Sequence, residues 1–152
     1  MKKLLGISAI LLALIVIASC KKSNNTTSPY NMKASIGTFS FDAEGQTKAN
    51  SSGSSSGGIS LVYLRGTSTD GKVIKITLIS GATWPGVGTY SVDTAGAACD
   101  YYPYGPDSTY TYATTGIVTL TAVTPNYVGT FSFTCADSTQ VKNGSFTIQA
   151  FQ

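Results

Sequence analysis

This sequence predicts an all-β domain, and three observations predict it. Beyond residue 30 the chain runs in short segments whose apolar and polar residues alternate with period two, the mark of half-buried strands. Turn residues punctuate those segments, among them Asp70-Gly71, Pro85-Gly86 and Asn143-Gly144. Thr, Ser, Gly and Tyr are abundant, whereas helix-forming stretches rich in Leu, Glu and Ala are missing after residue 19. About eight short strands are expected, and one-sided alternation requires a covering layer for each sheet. The expected architecture is an antiparallel β-sandwich, with a partly open β-barrel as the alternative.

The elements follow in order. Ala34-Ser35-Ile36 leads through Gly37-Thr38 into Phe39-Ser40-Phe41, with apolar and small polar residues alternating. Residues 42–58 hold the run Ser51-Ser52-Gly53-Ser54-Ser55-Ser56-Gly57-Gly58, which reads as a flexible surface loop. Residues 59–65 and 72–80 form two strands joined through Thr69-Asp70-Gly71, a strong hairpin signal. In the second arm Ile74, Ile76 and Leu78 share the face assigned to the core. Pro85-Gly86 turns into a strand carrying Tyr90 and Val92 on one side. Residues 94–108 read as irregular. Tyr110-Thr111-Tyr112 is a short strand, and Gly116 opens another over residues 117–123. Near the end, Phe131, Phe133 and Cys135 share one face, as do Phe146, Ile148 and Ala150. These two strands are expected to pair antiparallel with their Phe rings stacked, and Asn143-Gly144 to supply the positive φ of the turn between them.

The N-terminus carries an address. Lys2 and Lys3 precede an apolar run from Leu4 to Ala18. At about 15 residues it suits a cleaved export signal and is short for a helix crossing roughly 30 Å of hydrocarbon. The competing reading is one N-terminal membrane helix with Cys20 incidental. The tetrad Ile17-Ala18-Ser19-Cys20 closes the run, and the polar stretch from Lys21 to Ser28 cannot extend it. This arrangement resembles bacterial lipoproteins, whose lipobox is an aliphatic residue, two small residues and a Cys. The resemblance implies that the Cys20 thiol takes a diacylglycerol and that its freed amine takes a fatty acyl chain such as palmitate. Each buried CH₂ contributes roughly 0.8 kcal/mol, so two or three chains anchor firmly where one is marginal. Residues 1–19 are then a signal peptide, 20–30 a polar tether ending at Pro29-Tyr30, and 31–152 a single β domain.

Charge and cysteine usage narrow the function. The formal net charge is +3, but Lys2 and Lys3 leave with the signal. Eight basic residues then face seven acidic ones, and Lys33, Lys48, Arg65, Lys72, Lys75 and Lys142 are spread along the chain. Nucleic acid binding needs a clustered positive field, so no nucleic acid partner is expected. Cys99 and Cys135 remain, and a pair in an exported chain is a disulfide candidate. Closing a loop of about 37 residues adds ~3–4 kcal/mol in the chain-entropy account. Two separate buried thiols are the alternative. With no His in the chain, two Cys are too few for zinc, and Ser-His-Asp and Cys-His catalysis are excluded.

Carboxylate chemistry would fall to Asp93, Asp100 and Asp107, since Glu44 is the only Glu. Solvent-facing turn residues are the plainer reading of these Asp, and no calcium-loop spacing is present. Tyr101, Tyr102, Tyr104, Tyr110 and Tyr112 fall within twelve residues. Together with Trp84, Asp100 and Asp107, residues Tyr101, Tyr102 and Tyr104 are the candidate ligand-binding set, with rings suited to stacking on sugars or a protein surface. Tyrosines merely covering one end of the core are the plainer alternative.

The segments Pro85-Gly86 with Gly88-Thr89-Tyr90, Gly129-Thr130-Phe131-Ser132-Phe133 and Asn143-Gly144-Ser145-Phe146 resemble a family of small Bacteroidetes lipoproteins of unknown function. The likeness spans residues 31–151. The chain departs from that pattern by Val87-Gly88 before the Thr and by its Ser-rich run. The resemblance implies an outer-membrane location, at the periplasmic face or the cell surface, and brings no catalytic residues. Lys21-Lys22-Ser23 lacks both the Asp of inner-membrane retention and the acidic residues linked to surface export. The expectation is a lipid-anchored, non-enzymatic envelope domain, without cofactor or metal, that binds or scaffolds protein or glycan. The alternatives are a purely structural envelope module without small ligand and, more weakly, an Asp-based hydrolase.

Overall fold

The computed structural model describes residues 28–92 and 95–151. The expected signal peptide, Cys20, most of the expected tether and Asp93 lie outside the described residues. Among the described residues ten strands follow in chain order: β1 Asn31–Ile36, β2 Phe39–Glu44, β3 Ala49–Ser56, β4 Ile59–Thr67, β5 Val73–Ser80, β6 Gly88–Ser91, β7 Ala97–Tyr102, β8 Thr111–Ala122, β9 Asn126–Cys135 and β10 Gln140–Gln149. Their spatial order is β2-β1-β10-β9-β8-β7-β5-β4-β3, with β6 also paired to β8. All these pairings are antiparallel.

The expected sandwich is therefore corrected to one curled, open sheet, a half-barrel. The cause is β8, twelve residues long. Its first two residues pair with β7, and the remainder pairs with β9 and β6. One strand thus joins what would otherwise be two sheets. Alternation reports that each strand has a covered face, but not whether the cover is a second sheet or the same sheet bent over. Here β4 bends over β1 and β2, where Gly66 abuts Met32 and Phe41. At the same closure, the Ser51 hydroxyl donates to the Gln149 carbonyl at 2.6 Å.

The Asp70-Gly71 hairpin forms as the sequence predicts, and Ile74, Ile76 and Leu78 are fully buried. The Asp70 carboxylate accepts from the Ser68 hydroxyl and the Lys72 ammonium, and these bonds hold its pKa below the ordinary value. The Ser-rich run is not a loop. Each residue of β3 pairs in register with β4, and Gly57 and Gly58 close the hairpin with φ of 60° and 76°. Ser and Gly on both faces leave no apolar contrast, so the period of this strand is invisible in the sequence. Residues 97–102, read as irregular, form β7, and the segments on either side of Gly116 form one strand.

The strands carrying Phe131 and Phe146 do pair, and the two rings stack at 6.2 Å. Their turn lies elsewhere than predicted. It falls at residues 136–139, where the Thr139 N–H donates to the Asp137 carboxylate at 2.9 Å. Asn143 does take a positive φ, 51°, but inside β10, where the pairing with β9 shifts between Val141 and Gly144. It makes a bulge, and the extra residue bends the strand.

The predicted disulfide is also corrected. Cys99 and Cys135 are both buried and both free. Ala113 of β8 pairs with Cys135, and the β7–β8 register brings Cys99 level with the same Ala113. One strand therefore stands between the two Cys. Two inter-strand steps are roughly 9–10 Å, beyond the ~7 Å that a bridge tolerates. Both side chains point inward, as predicted for Cys135, and pack as small apolar groups.

Candidate functional site

The outward face of β3, β4, β5 and β7 gathers the polar and aromatic residues of the domain. Register places Asn50 opposite Arg65, Ser52 opposite Tyr63, Arg65 opposite Lys75, and Lys75 opposite Asp100. Tyr102 stands opposite Val73 on the same face. Because the strand pleat alternates, these side chains all leave the sheet away from the core. They line an open groove of about 510 Å³ walled by Asn50, Ser52, Tyr63, Arg65, Lys75 and Tyr102.

The groove mixes cations with ring faces. The Lys75 ammonium lies 5.4 Å from the centre of the Tyr63 ring. Tyr102 and Tyr110 tilt against each other at 5.2 Å. Burial raises the pKa of Asp100, and Lys75 across the ladder opposes that rise. Burial also raises the Tyr102 phenol, with Asp100 and Tyr110 adding to the effect. Chemically this surface can stack a planar or sugar ring and hold an anionic group. Among the described residues no cluster of three or more His, Cys, Asp or Glu could hold a metal ion.

The predicted ligand residues separate. Asp100 and Tyr102 reach this face. Tyr101, their neighbour on the same strand, points into the core and is 6% exposed. Tyr104 is 89% exposed on the loop between β7 and β8, and Asp107 is exposed on the same loop. Trp84 belongs to a second groove of about 610 Å³, with Pro85, Val123, Tyr127 and Phe151. There its ring meets Phe151 edge-on at 5.1 Å, and Phe151 lies 6.0 Å from Tyr127.

Sequence reasoning missed Tyr63, Arg65 and Lys75. Their signal was present: Tyr63 and Arg65 are two apart on one arm of the Asp70-Gly71 hairpin, and Lys75 shares their face on the other. Asn50 and Ser52 had no such signal, since their strand was hidden in the Ser-rich run. Comparison with protein-family models, with curated proteins and with solved structures finds no match.

Proposed function

We propose that this chain is a lipid-anchored module of the bacterial outer membrane, of the small Bacteroidetes type, with a structural or scaffolding role and no reaction of its own. Acylated Cys20 ties it to the bilayer. One observation carries the reading of the domain: the concave side of the curled sheet, where such a fold would hold a small ligand, is filled by its own side chains. Met32, Phe41, Leu64, Ile76, Phe131 and Phe146 meet there, all buried. A module so filled acts through its tether and its outer surface.

The test has two arms. Cys20→Ser is expected to abolish acyl labelling and to release the protein from the membrane fraction. A melting-temperature screen against small envelope metabolites and short oligosaccharides is expected to show no shift. A ligand at 100 times its Kd would stabilise the fold by about 2.7 kcal/mol, well within detection, and such a hit would replace this reading. A second reading, contact with a protein or glycan partner, is favoured by the rings and cations of the outer groove. Tyr63→Ala with Tyr102→Ala would abolish such contact without touching the core.

A further inference from the structure

We infer that the end of the domain where the tether enters is a membrane seat, with Trp84 and Val87 resting in the lipid headgroup boundary. This inference rests on the lipid-anchor reading. Asn31 at the start of β1 pairs with Thr147 of β10. The same antiparallel register brings Pro29, the last tether residues and Gln149 to one level. Two residues later comes Phe151, whose ring carries Trp84. The Ala150 N–H donates to the Pro125 carbonyl at 3.1 Å, fixing this stretch beside the β8–β9 connection. The Trp84 cluster therefore stands where the chain arrives from Cys20.

The patch is presented rigidly and outward. Trp84 is 46% exposed and Val87 66%, while Pro85 between them is buried. The Tyr90 hydroxyl donates to the Gly86 carbonyl at 2.6 Å and pins the loop to β6. An exposed Trp beside an exposed Val is surface that a freely dissolved domain gains nothing by showing. At a bilayer it is favourable, because the amphipathic indole partitions to the headgroup level.

Tether length selects the occupant. Cys20 and Pro29 are nine residue-to-residue steps apart. Fully extended they reach roughly 30 Å, and as a flexible coil about 17 Å. The tether end of the domain is thus held within a short distance of the acyl chains. Lys48, whose N–H donates to the Gly45 carbonyl beside the Gly45–Tyr30 backbone contact, puts positive charge near Tyr30, where the tether ends.

Trp84 is the only Trp in the chain, so its emission reports this site alone. The full mature lipoprotein is reconstituted into phosphatidylcholine–phosphatidylglycerol vesicles, with or without lipids brominated near the headgroup end of the acyl chains. At a depth of about 5–10 Å, brominated lipid is expected to remove roughly half of the Trp84 emission. In the same vesicles the Val87→Asp variant is expected to float as well as the wild type but to lose most of this quenching. Flotation with unquenched emission overturns the seat and leaves the anchor standing. Failure of the wild type to float, with no acyl mass on Cys20, overturns the anchor and the seat with it. Protection of Trp84 from aqueous acrylamide without bromolipid quenching assigns the ring to a protein or sugar partner and also overturns the seat.

Discussion

Replacing Gly66 by alanine places a methyl group where the two arms of the curled sheet touch. An ideal Cβ there would lie 2.7 Å from the Met32 sulfur, 3.0 Å from the Met32 Cβ and 3.1 Å from Cε1 of Phe41. Ordinary carbon contacts are about 3.5–4.0 Å. The sulfur can swing aside, but Met32 is fully buried, and its Cβ and the Phe41 ring are held by their own strands. Overpacking of this kind costs ~1–3 kcal/mol. Alanine stiffens the unfolded chain and offsets ~0.4–1 kcal/mol of that. The net expectation is a loss of about 1–2 kcal/mol, or about 4–8 °C in Tm for a domain of roughly 120 residues. Urea melts followed by circular dichroism and by Trp84 emission measure it. Met32→Ala alone should cost ~2–5 kcal/mol. In that background Gly66→Ala should cost measurably less than it does alone, since the sulfur contact is gone and the Phe41 ring can shift into the space the Met32 side chain leaves. If the two losses simply add, Gly66 does not lie against β1, and the half-barrel is wrong.

Three further outcomes follow from the core and the groove. In unfolded, unreduced protein both Cys99 and Cys135 should be alkylated by maleimide; failure of either to react would restore the disulfide. In folded protein Cys135, its pKa pushed up to about 11 by burial, should react on the order of a hundredfold more slowly than a free thiol, and Cys99, shifted further, more slowly still. Asp100→Asn should raise Tm at pH 7. Burial raises the folded pKa of Asp100, so its stabilising share is whole below the ordinary 3.8 and is lost as pH rises through the folded value. The gain over the wild type should vanish below about pH 3.8, and a less stable variant at pH 7 would mean that the Lys75 pairing outweighs burial. Gly129→Ala should destabilise by ~2–3 kcal/mol, because its Cβ would strike the Thr119 carbonyl at 2.1 Å and the Phe146 ring at 2.7 Å; an unchanged urea midpoint would contradict the β8–β9–β10 packing.

Local contrast made some of these elements legible. The Asp70-Gly71 hairpin, the inward Ile74, Ile76 and Leu78, and the Phe131–Phe146 stack were readable because apolar and polar residues differ sharply along those strands. Where contrast fails, the reading fails with it. The Ser-rich run became β3 because its hydrogen bonds go to β4, a fact no side chain in residues 51–58 announces. Asn143-Gly144 has the backbone preference of a turn, but a bulge uses the same φ. The ligand set split because Tyr101 and Tyr102 are adjacent: on a pleated strand, neighbours cannot serve the same face.

By itself the sequence determined a β domain of short antiparallel strands and the inward faces that build its core, because period-two patterning and turn chemistry act within a few residues. Only the tertiary structure decided that ten strands form one bent sheet, that β8 separates Cys99 from Cys135, and that Tyr63, Arg65 and Lys75 share a groove with Tyr102. It also decided that Trp84 stands against Phe151, two residues past the end of β10. Those facts depend on which strands become neighbours, and neighbours far apart in the chain leave no local mark.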